Sequence, residues 1–408
     1  MGNPIQSKRI LLGLSGSIAC YKAADLASRL SQMGGLVDAV LTQSALQFIT
    51  PLTIQSVTSR RAYIDADLWG SEGHVLHIGL AHSADLLVIA PATANTLAKI
   101  ALGIADNLLS LAALAARCPL LVAPAMDGGM YSHPATQANL DILRQRGVRI
   151  AGPAEGHLAS GQSGVGRMME PSEILGQARL ALAQGGRLQG RKIVVTAGGT
   201  QEPVDPVRVL SNRSSGKQGF ALAQAALDLG ARVDLIAAPV PLETPAGARR
   251  IDVRTAEEML SAVSDSVRDA DALLMAAAVA DFKPALRSEQ KIKKDSGPPL
   301  LELAPTPDIL QMVADQKAKT GYPRLSVGFA AESQQLIENA RAKLAAKRLD
   351  LIVANDITAH DAGFSADTNR VSLLNARGEI ESLALMSKYE VAEAVLERVI
   401  AILPKQEP

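Results

Sequence analysis

The segment Arg9-Ile-Leu-Leu-Gly-Leu-Ser-Gly-Ser-Ile18 decides the fold of the first half of the chain. Its first six residues are a short apolar run, which predicts a buried strand, and a glycine turn then leads into a predicted helix over 18–33. A second strand is predicted over 36–41 and ends in Thr42-Gln-Ser44. This order of strand, turn and helix is typical of α/β folds.

The same alternation continues along the first half. Two further apolar strands are predicted over 84–90 and 119–123, each followed by a proline, with one helix over 92–116 between them. Strands that alternate with helices indicate a parallel sheet covered on both faces.

The alternation restarts after a glycine-rich segment, Gln184-Gly-Gly-Arg-Leu-Gln-Gly190. Here the predicted elements are strands over 192–196, 233–237, 272–277 and 350–354, a hairpin of 371–375 with 378–384, and helices over 220–230, 331–348 and 388–402. We therefore predict an α/β protein of two tandem doubly wound, Rossmann-like domains, residues 1–183 and 191–408, joined by a linker over 184–190.

Composition excludes several classes of protein. The 408 residues are 48% hydrophobic and 20% charged, which excludes disorder as the main state. Forty-one basic residues balance 41 acidic ones, so the basic excess of a nucleic-acid binder is missing. No apolar run is long enough to span a membrane, and two cysteines are too few for a disulfide framework. We expect a cytoplasmic protein that binds neither nucleic acid nor membrane.

Polar loops follow the predicted strands of the first half. Ligands of doubly wound sheets bind beyond the carboxyl ends of the strands, where the loop over 12–18 offers glycines and hydroxyls that suit a phosphate. A purely structural turn is an equally good interpretation, since the spacing is neither the dinucleotide nor the P-loop pattern. The loops over 42–48, 91–96 and 124–130 add small polar groups, with Phe48 and Met126 available to contact a flat ring.

Five ordered motifs of the first half resemble the flavin-containing cysteine decarboxylases. They are Gly16-Ser-Ile-Ala-Cys-Tyr-Lys22, His77-Ile-Gly-Leu-Ala81, Ala90-Pro-Ala-Thr-Ala94, Pro124-Ala-Met126 and Gly164-Val-Gly-Arg-Met168. The resemblance implies a flavodoxin-like half that binds FMN and decarboxylates a cysteine-derived substrate. The cofactor-binding residues would be Gly16, Ser17, Ser44, Phe48, Thr93, Asn95 and Met126.

The same resemblance assigns catalytic residues and departs from the family at two of them. His77 matches the catalytic histidine, although a structural histidine at a helix start is the plainer alternative. Asp127 stands where the family commonly has an asparagine that binds the substrate carboxylate, and two facing carboxylates repel each other. Ser160 stands where the family has a proton-donating cysteine, and a hydroxyl is a far weaker acid than a thiol.

The second half has its own motifs. Ser214-Ser-Gly-Lys-Gln-Gly219 opens a predicted helix and suits a phosphate, but it lacks the P-loop spacing. Together with the segments over 276–284, 291–294, 306–310, 327–332 and 354–356, it resembles the ligase half of bifunctional coenzyme A biosynthesis proteins, in which a phosphopantothenate–cysteine ligase is fused to the decarboxylase. The resemblance covers nearly the whole chain.

The ligase resemblance implies a reaction with CTP and Mg²⁺. The carboxylate of 4'-phosphopantothenate would attack the α-phosphate of CTP, and the amine of cysteine would then displace CMP. Lys291 would contact the nucleotide phosphates, and Asn212 would hold the acyl-cytidylate. The remaining nucleotide-binding residues would be Met275, Ala276, Ala277, Asp281, Pro307, Asp308, Ile309, Leu310, Phe329, Lys343 and Lys347.

These motifs favour a bifunctional enzyme of coenzyme A synthesis that acts on 4'-phosphopantothenate, cysteine and CTP. One alternative is a ligase whose first half binds flavin without catalysis. Another is a non-catalytic flavoprotein that regulates a partner, but such a protein would not need the lysine-rich loop at 291–294. A nicotinamide oxidoreductase is a weaker alternative because the dinucleotide spacing is absent. The resemblance also implies a homo-oligomer.

Overall fold

The computed structural model describes residues 2–69, 75–159, 161, 163–293, 300–332, 335–356 and 366–404. The chain divides into two compact units, Met1–Gln184 and Gly185–Pro408. Each unit is described by itself below.

The first unit is built on a parallel sheet. Its strands are β1 (Arg9–Leu14), β2 (Leu36–Leu41), β3 (Ala62–Ile64), β4 (Leu86–Ala92), β5 (Leu120–Pro124) and β6 (Arg149–Ile150), and a separate antiparallel hairpin consists of β7 (Ala154–His157) and β8 (Ser163–Arg167). The strand order is β3-β2-β1-β4-β5-β6. Without the three-residue β3 this is the 2-1-3-4-5 order of flavodoxin, as the resemblance implied.

Helices cover both faces of this sheet. They are α1 (Cys20–Gln32), α2 (Pro51–Thr58), α3 (Leu76–Ser83), α4 (Ala94–Leu102), α5 (Leu108–Ala115), α6 (Gly128–Ser132), α7 (Pro134–Gln145) and α8 (Pro171–Leu182). Ile10 and Leu12 belong to one buried cluster, whereas Leu11 belongs to the other. Successive side chains of a strand point to opposite faces, so β1 contributes to a core on each side.

The prediction of one continuous helix over 92–116 is wrong. Two helices, α4 and α5, occupy this stretch because Gly103 ends α4 in the left-handed conformation, with φ of +73°. Asn107 then opens α5 by a capping box with Ser110.

The second unit is built on a mixed eight-stranded sheet. Its strands are β9 (Lys192–Ala197), β12 (Arg232–Ala237), β13 (Arg249–Asp252), β14 (Ala272–Met275), β17 (Leu325–Glu332), β18 (Leu351–Asp356), β20 (Val371–Asn375) and β21 (Ile380–Ser382). The order is β13-β12-β9-β14-β17-β18-β20-β21, parallel as far as β18 and antiparallel beyond it. The six parallel strands thus repeat the order 3-2-1-4-5-6 of the first unit.

Short strand pairs and, in the described part of the chain, five helices complete the second unit. The pairs are β10 (Gln201–Pro203) with β11 (Val209–Ser211), β15 (Phe282–Pro284) with β16 (Leu303–Pro305), and β19 (Thr368–Asn369) with β22 (Met386–Ser387). The helices are α9 (Lys217–Asp228), α10 (Ala256–Ser266), α11 (Ile309–Thr320), α12 (Leu336–Ala346) and α13 (Lys388–Ile402).

Several strands of this unit were not predicted, among them β13 and β17 of the main sheet. The residues 331 and 332, predicted as the start of a helix, belong instead to β17, and α12 begins at Leu336. The predicted hairpin of β20 with β21 and the closing helix α13 are confirmed. Both units are doubly wound α/β folds, which confirms the predicted fold class. Among the described residues, no helix is long and apolar enough to cross a membrane.

Candidate active sites

Ser15 fastens the carboxyl end of β1 to that of β4. Its hydroxyl donates to the Pro91 carbonyl at 2.8 Å and accepts from the Thr93 amide at 2.9 Å. Since Ser15 is buried, these bonds fix the distance between two strand ends that flank the topological switch point. Thr93 in turn caps α4 by accepting from the Thr96 amide.

Gly16 brings the loops after β1 and β2 into close contact. A Cβ atom at this position would lie 2.4 Å from the Ser44 Cβ and 3.0 Å from the Ser44 carbonyl carbon and oxygen. Residue 16 must therefore be glycine, because any side chain would overlap Ser44. Ser17 lies in the following turn and accepts from the Ala19 amide at 3.3 Å, while Phe48 is half exposed beyond the end of β2.

The β7–β8 hairpin lies against the loop after β5. The Met126 amide donates to the Gly166 carbonyl at 3.0 Å, and a Cβ atom at Gly166 would lie 2.3 Å from the Met126 carbonyl oxygen. Next in the chain, the Asp127 carboxylate caps α6 by accepting from the Gly129 amide at 2.9 Å. The negative charge of Asp127 is thus held by a local backbone donor.

The remaining residues predicted for the first half differ in their exposure to solvent. Asn95 is exposed in the first turn of α4, and His77 is half-buried as the second residue of α3. Ser160 lies outside the described residues. The predicted flavin-binding residues follow four neighbouring strands, β2, β1, β4 and β5, and so share one edge of the sheet.

Sequence reasoning missed a role for Lys22. Its side chain is only 6% exposed, and its ammonium group donates to the Met168 carbonyl at 3.1 Å and the Glu170 carboxylate at 2.8 Å. The hydrogen bond from Lys22 holds the pKa of Glu170 below its ordinary value. Lys22 therefore anchors the segment after β8 to α1. Its partners are 146 and 148 residues away, so no local signal marks it.

The second unit contains a cleft of about 600 Å³. The cleft is lined by Asn212 and by all the residues predicted for the nucleotide except Lys291: Met275, Ala276, Ala277, Asp281, Pro307, Asp308, Ile309, Leu310, Phe329, Lys343 and Lys347. Met275 ends β14, Ala276 and Ala277 follow it, and Phe329 lies in the carboxyl-terminal half of the neighbouring strand β17, at the edge where a doubly wound sheet binds its ligands. Lys291 is exposed and does not line the cleft.

The amino-terminal end of α9 forms one wall of the cleft. Gly216, with φ of +73°, precedes the helix, and a Cβ atom at Gly219 would lie 2.5 Å from the Ala197 Cβ and 2.8 Å from the Thr196 carbonyl oxygen. The glycines thus allow α9 to pack directly on β9. Ser214, Ser215 and Lys217 line the cleft at this end, which suits an anion.

Lys343 and Lys347 supply positive charge at another part of the cleft. The Lys343 ammonium donates to the Phe329 carbonyl at 2.9 Å, and Lys347 pairs with Asp308. Asp308 also caps α11 through the Gln311 amide at 3.0 Å. Burial opposes ionisation of Asp308, but the bonds from Lys347 and the Gln311 amide hold its pKa below the ordinary value.

Two buried amide oxygens in the cleft were not predicted. Gln218 Oε1 and Asn355 Oδ1 have no hydrogen-bond partner among the described residues, and both side chains line the cleft. The Gln218 amide nitrogen donates to the Lys388 carbonyl at 3.0 Å, which fixes the orientation of the group. A buried acceptor without a donor is costly, so a ligand of this cleft is expected to supply N–H or O–H donors.

Asn212 and Asp281 lie at the mouth of the same cleft. The Asn212 side chain donates to the Val279 carbonyl at 3.1 Å, and the Asp281 carbonyl accepts from the Thr306 amide at 3.0 Å. The described residues contain no group of three or more His, Cys, Asp or Glu side chains that could hold a metal ion.

Comparison with known proteins divides the chain in two. Residues 2–179 match the family model described as Flavoprotein, and residues 188–403 match that of the DNA/pantothenate metabolism flavoprotein C-terminal domain. The chain is 44% identical over 401 residues to the coenzyme A biosynthesis bifunctional protein of Bacillus subtilis, covering 98% of both chains. It is 41% identical over 408 residues to the protein of that name from Mycobacterium tuberculosis H37Rv, covering 97% of both.

Among solved structures, the first half is similar to the FMN binding protein AtHal3. The two are 40% identical, the match covers 43% of this chain and 96% of that one, and the TM-score is 0.40.

Proposed function

We propose a reaction for each half of this chain, which belongs to the family of coenzyme A biosynthesis bifunctional proteins. It is an enzyme of coenzyme A biosynthesis with ligase and decarboxylase activities. In our proposal the second half joins 4'-phosphopantothenate to cysteine, and the first half decarboxylates the product to 4'-phosphopantetheine. The main support is the cleft of the second unit, which gathers all but one of the residues predicted for the nucleotide.

For the ligase we propose CTP as the activating nucleotide. Lys343 and Lys347 are positioned to contact its phosphates, because both line the cleft, Lys343 in the last turn of α12 and Lys347 directly after it. Positive charge fixed in advance stabilises the charge that develops as pyrophosphate leaves. Lys291 would supply further charge, and Asn212 would hold the acyl-cytidylate until the amine of cysteine displaces CMP.

Magnesium fits this cleft as an ion held mainly by the nucleotide. Mg²⁺ binds through one or two carboxylates, phosphates and water rather than through an all-protein cage. Asp308 is already paired with Lys347, so Asp281 is the carboxylate that we assign to the ion or to the nucleotide's sugar end. The bound ion would neutralise phosphate charge.

For the decarboxylase we propose that FMN binds along the edge formed by the ends of β2, β1, β4 and β5. The close approach of Gly16 to Ser44 and the polar ends of the loops fit a phosphate and a flat ring, which Phe48 and Met126 would contact. Bound FMN supplies reversible two-electron oxidation of the substrate. The His77 imidazole would accept a proton from the substrate and orient it, and Asp127 would face the substrate carboxylate.

The nucleotide assignment is tested by pyrophosphate release. Purified protein is incubated with 4'-phosphopantothenate, Mg²⁺ and either CTP or ATP, with cysteine left out. We expect pyrophosphate and an acyl-CMP adduct with CTP, visible by mass spectrometry. An acyl-AMP adduct formed faster with ATP would contradict the assignment of CTP.

We also propose that residues 1–183 and 191–408 are separate catalytic domains joined by 184–190. Expressed alone, the first segment should retain flavin and the second should retain ligation. Loss of flavin from a folded 1–183 segment would contradict these boundaries.

A homo-oligomer is proposed from exposed apolar side chains of the second unit. Several large ones lie on or beside the β10–β11 and β15–β16 pairs, namely Val207, Val209, Phe282, Leu286, Leu300, Leu301 and Leu303. Large exposed apolar patches are typical of protein interfaces. Light scattering should give a multiple of the 42.7 kDa chain mass, and a monomer at micromolar concentration would refute the proposal.

A further inference from the structure

Two distant segments of the second unit are joined next to Lys291. The Ser288 amide donates to the Val204 carbonyl at 3.0 Å, and the Ile292 amide donates to Asp205 Oδ2 at 3.2 Å. An Arg208 guanidinium nitrogen donates to the Ile292 carbonyl at 3.2 Å. Both backbone polar groups of Ile292, the residue directly after Lys291, are therefore held by the segment 204–208.

Asp205 is the centre of this attachment. Its carboxylate is 0% exposed and also accepts from the Val207 amide at 2.8 Å and the Arg208 amide at 2.7 Å. Burial opposes its ionisation, but the amides of Val207, Arg208 and Ile292 hold the pKa of Asp205 below its ordinary value. A buried carboxylate that accepts hydrogen bonds from three amides has a fixed position. Because one of these amides belongs to Ile292, the position of Ile292 is fixed as well.

The segment that contains Asp205 also leads into the cleft. It continues through β11 to Asn212, which lines the cleft. One carboxylate thus connects the backbone that carries Lys291 with the backbone that carries Asn212. Neither predicted residue contacts Asp205 through its own side chain in the bonds described above. Asp205 therefore acts on Lys291 through the Ile292 backbone and through the Arg208 guanidinium, with which its carboxylate also forms an ion pair at 3.5 Å.

We propose that Asp205 is a positioning residue for Lys291. It fixes the position of Lys291 relative to β11, the strand that directly precedes Asn212. The proposal rests on the proposed function, in which Lys291 contacts the nucleotide phosphates. A displacement of about 1 Å in a positioned group can lower a rate by roughly 100-fold.

The test is a double-mutant cycle in the full-length protein. Pyrophosphate release from CTP and 4'-phosphopantothenate is measured for Asp205→Asn, Lys291→Gln and the double variant. We expect Asp205→Asn to lower kcat about 10- to 100-fold with little change in the KM for CTP. In the Lys291→Gln background the same change should lower kcat by no more than about twofold, because the positioned group is already lost.

Other results separate the possible failures. Lys291→Gln lowers kcat in our proposal. If Asp205→Asn then lowers kcat by the same factor in the Lys291→Gln background as in the wild type, Asp205 acts independently of Lys291 and the inference is overturned. If Lys291→Gln leaves the rate unchanged, the assignment of Lys291 fails, and the inference fails with it.

Two further variants guard against simple unfolding. Asp205→Glu keeps the charge but displaces the oxygens by one methylene, and we expect it to lower kcat without lowering the melting temperature of the ligase half by more than a few degrees. A wild-type rate in this variant would count against the proposal. Asp265→Asn is the matched control, since Asp265 forms an exposed ion pair with Arg268, and its kcat should equal that of the wild type.

Discussion

Replacing Gly16 by alanine should weaken flavin binding. The new Cβ atom would lie 2.4 Å from the Ser44 Cβ and 3.0 Å from two backbone atoms of Ser44. Carbon atoms in contact lie about 3.5–4.0 Å apart, so the loops after β1 and β2 must separate by roughly 1 Å. Backbone atoms are involved, and a change of rotamer therefore cannot relieve the overlap.

The size of the effect follows from this overlap. Overpacking of this kind costs about 1–3 kcal/mol. If the cost falls on the flavin-bound state, the affinity for FMN should drop by a factor of about 5 to 150. The ligation rate should not change, because Ser44 and Gly16 belong to the other unit.

The assay is a titration of apoprotein with FMN, followed by quenching of flavin fluorescence. Gly103→Ala is the matched control: Gly103 has φ of +73° with no atom within 4 Å of the added Cβ, so strain lowers stability by about 1 kcal/mol without touching the flavin loops. A Kd for Gly16→Ala within twofold of the wild type would refute the assignment of these loops to the flavin.

Three further predictions concern the first unit. His77→Asn should abolish release of carbon dioxide from 4'-phosphopantothenoylcysteine while ligation continues; carbon dioxide at the wild-type rate would remove His77 from the catalytic residues. Lys22→Met should lower the free energy of unfolding of this unit by about 1–3 kcal/mol, since it leaves the buried Met168 carbonyl without its donor. Denaturant titration measures this loss. The control is Arg29→Met, which removes only an exposed ion pair and should lower the free energy of unfolding by less than about 0.5 kcal/mol. Equal losses of unfolding free energy in the two variants would contradict the anchoring role of Lys22. Ser160→Cys should speed formation of 4'-phosphopantetheine, because a thiol is the stronger acid, and a slower rate in single-turnover mass spectrometry would count against protonation as the limiting step.

The strands that were predicted best are those whose signal is local. β1 and β2 have the bounds that their largely apolar runs predicted, because the interior of a strand that is buried on both faces is mainly apolar. Helix α13 also begins and ends as predicted, and Ser387 and Glu390 form its capping box.

The last two residues of β17 were predicted as the start of a helix, and the rest of the strand was not predicted. Its last residues include Ala330 and Ala331, which favour helices in isolation. Gly328 is required for a tertiary reason, since a Cβ atom there would lie 2.5 Å from the Leu349 Cδ1. Likewise the break at Gly103 was overlooked within an alanine- and leucine-rich run, although Asn107 and Ser110 carry a capping signal.

Many residues that line the candidate ligase cleft could be predicted from the sequence, whereas the position of Lys291 could not. Residues in the carboxyl-terminal halves of neighbouring parallel strands meet at one edge of the sheet, which is why Met275 of β14, Phe329 of β17 and Asn355 of β18 line one cleft. The position of Lys291 depends instead on the hydrogen bonds that its neighbour Ile292 forms with Asp205 and Arg208, more than 80 residues away in the chain. Contacts at that separation leave no periodic signal.

The central claim is that one chain carries out both ligation and decarboxylation. It is tested most directly by one incubation of purified, flavin-loaded protein with 4'-phosphopantothenate, cysteine, CTP and Mg²⁺, followed by mass spectrometry. We predict that 4'-phosphopantetheine accumulates, with one CMP and one carbon dioxide formed for each molecule. Accumulation of 4'-phosphopantothenoylcysteine alone would contradict a working decarboxylase with Ser160 and Asp127 in place, and the absence of any acyl product would contradict the account as a whole.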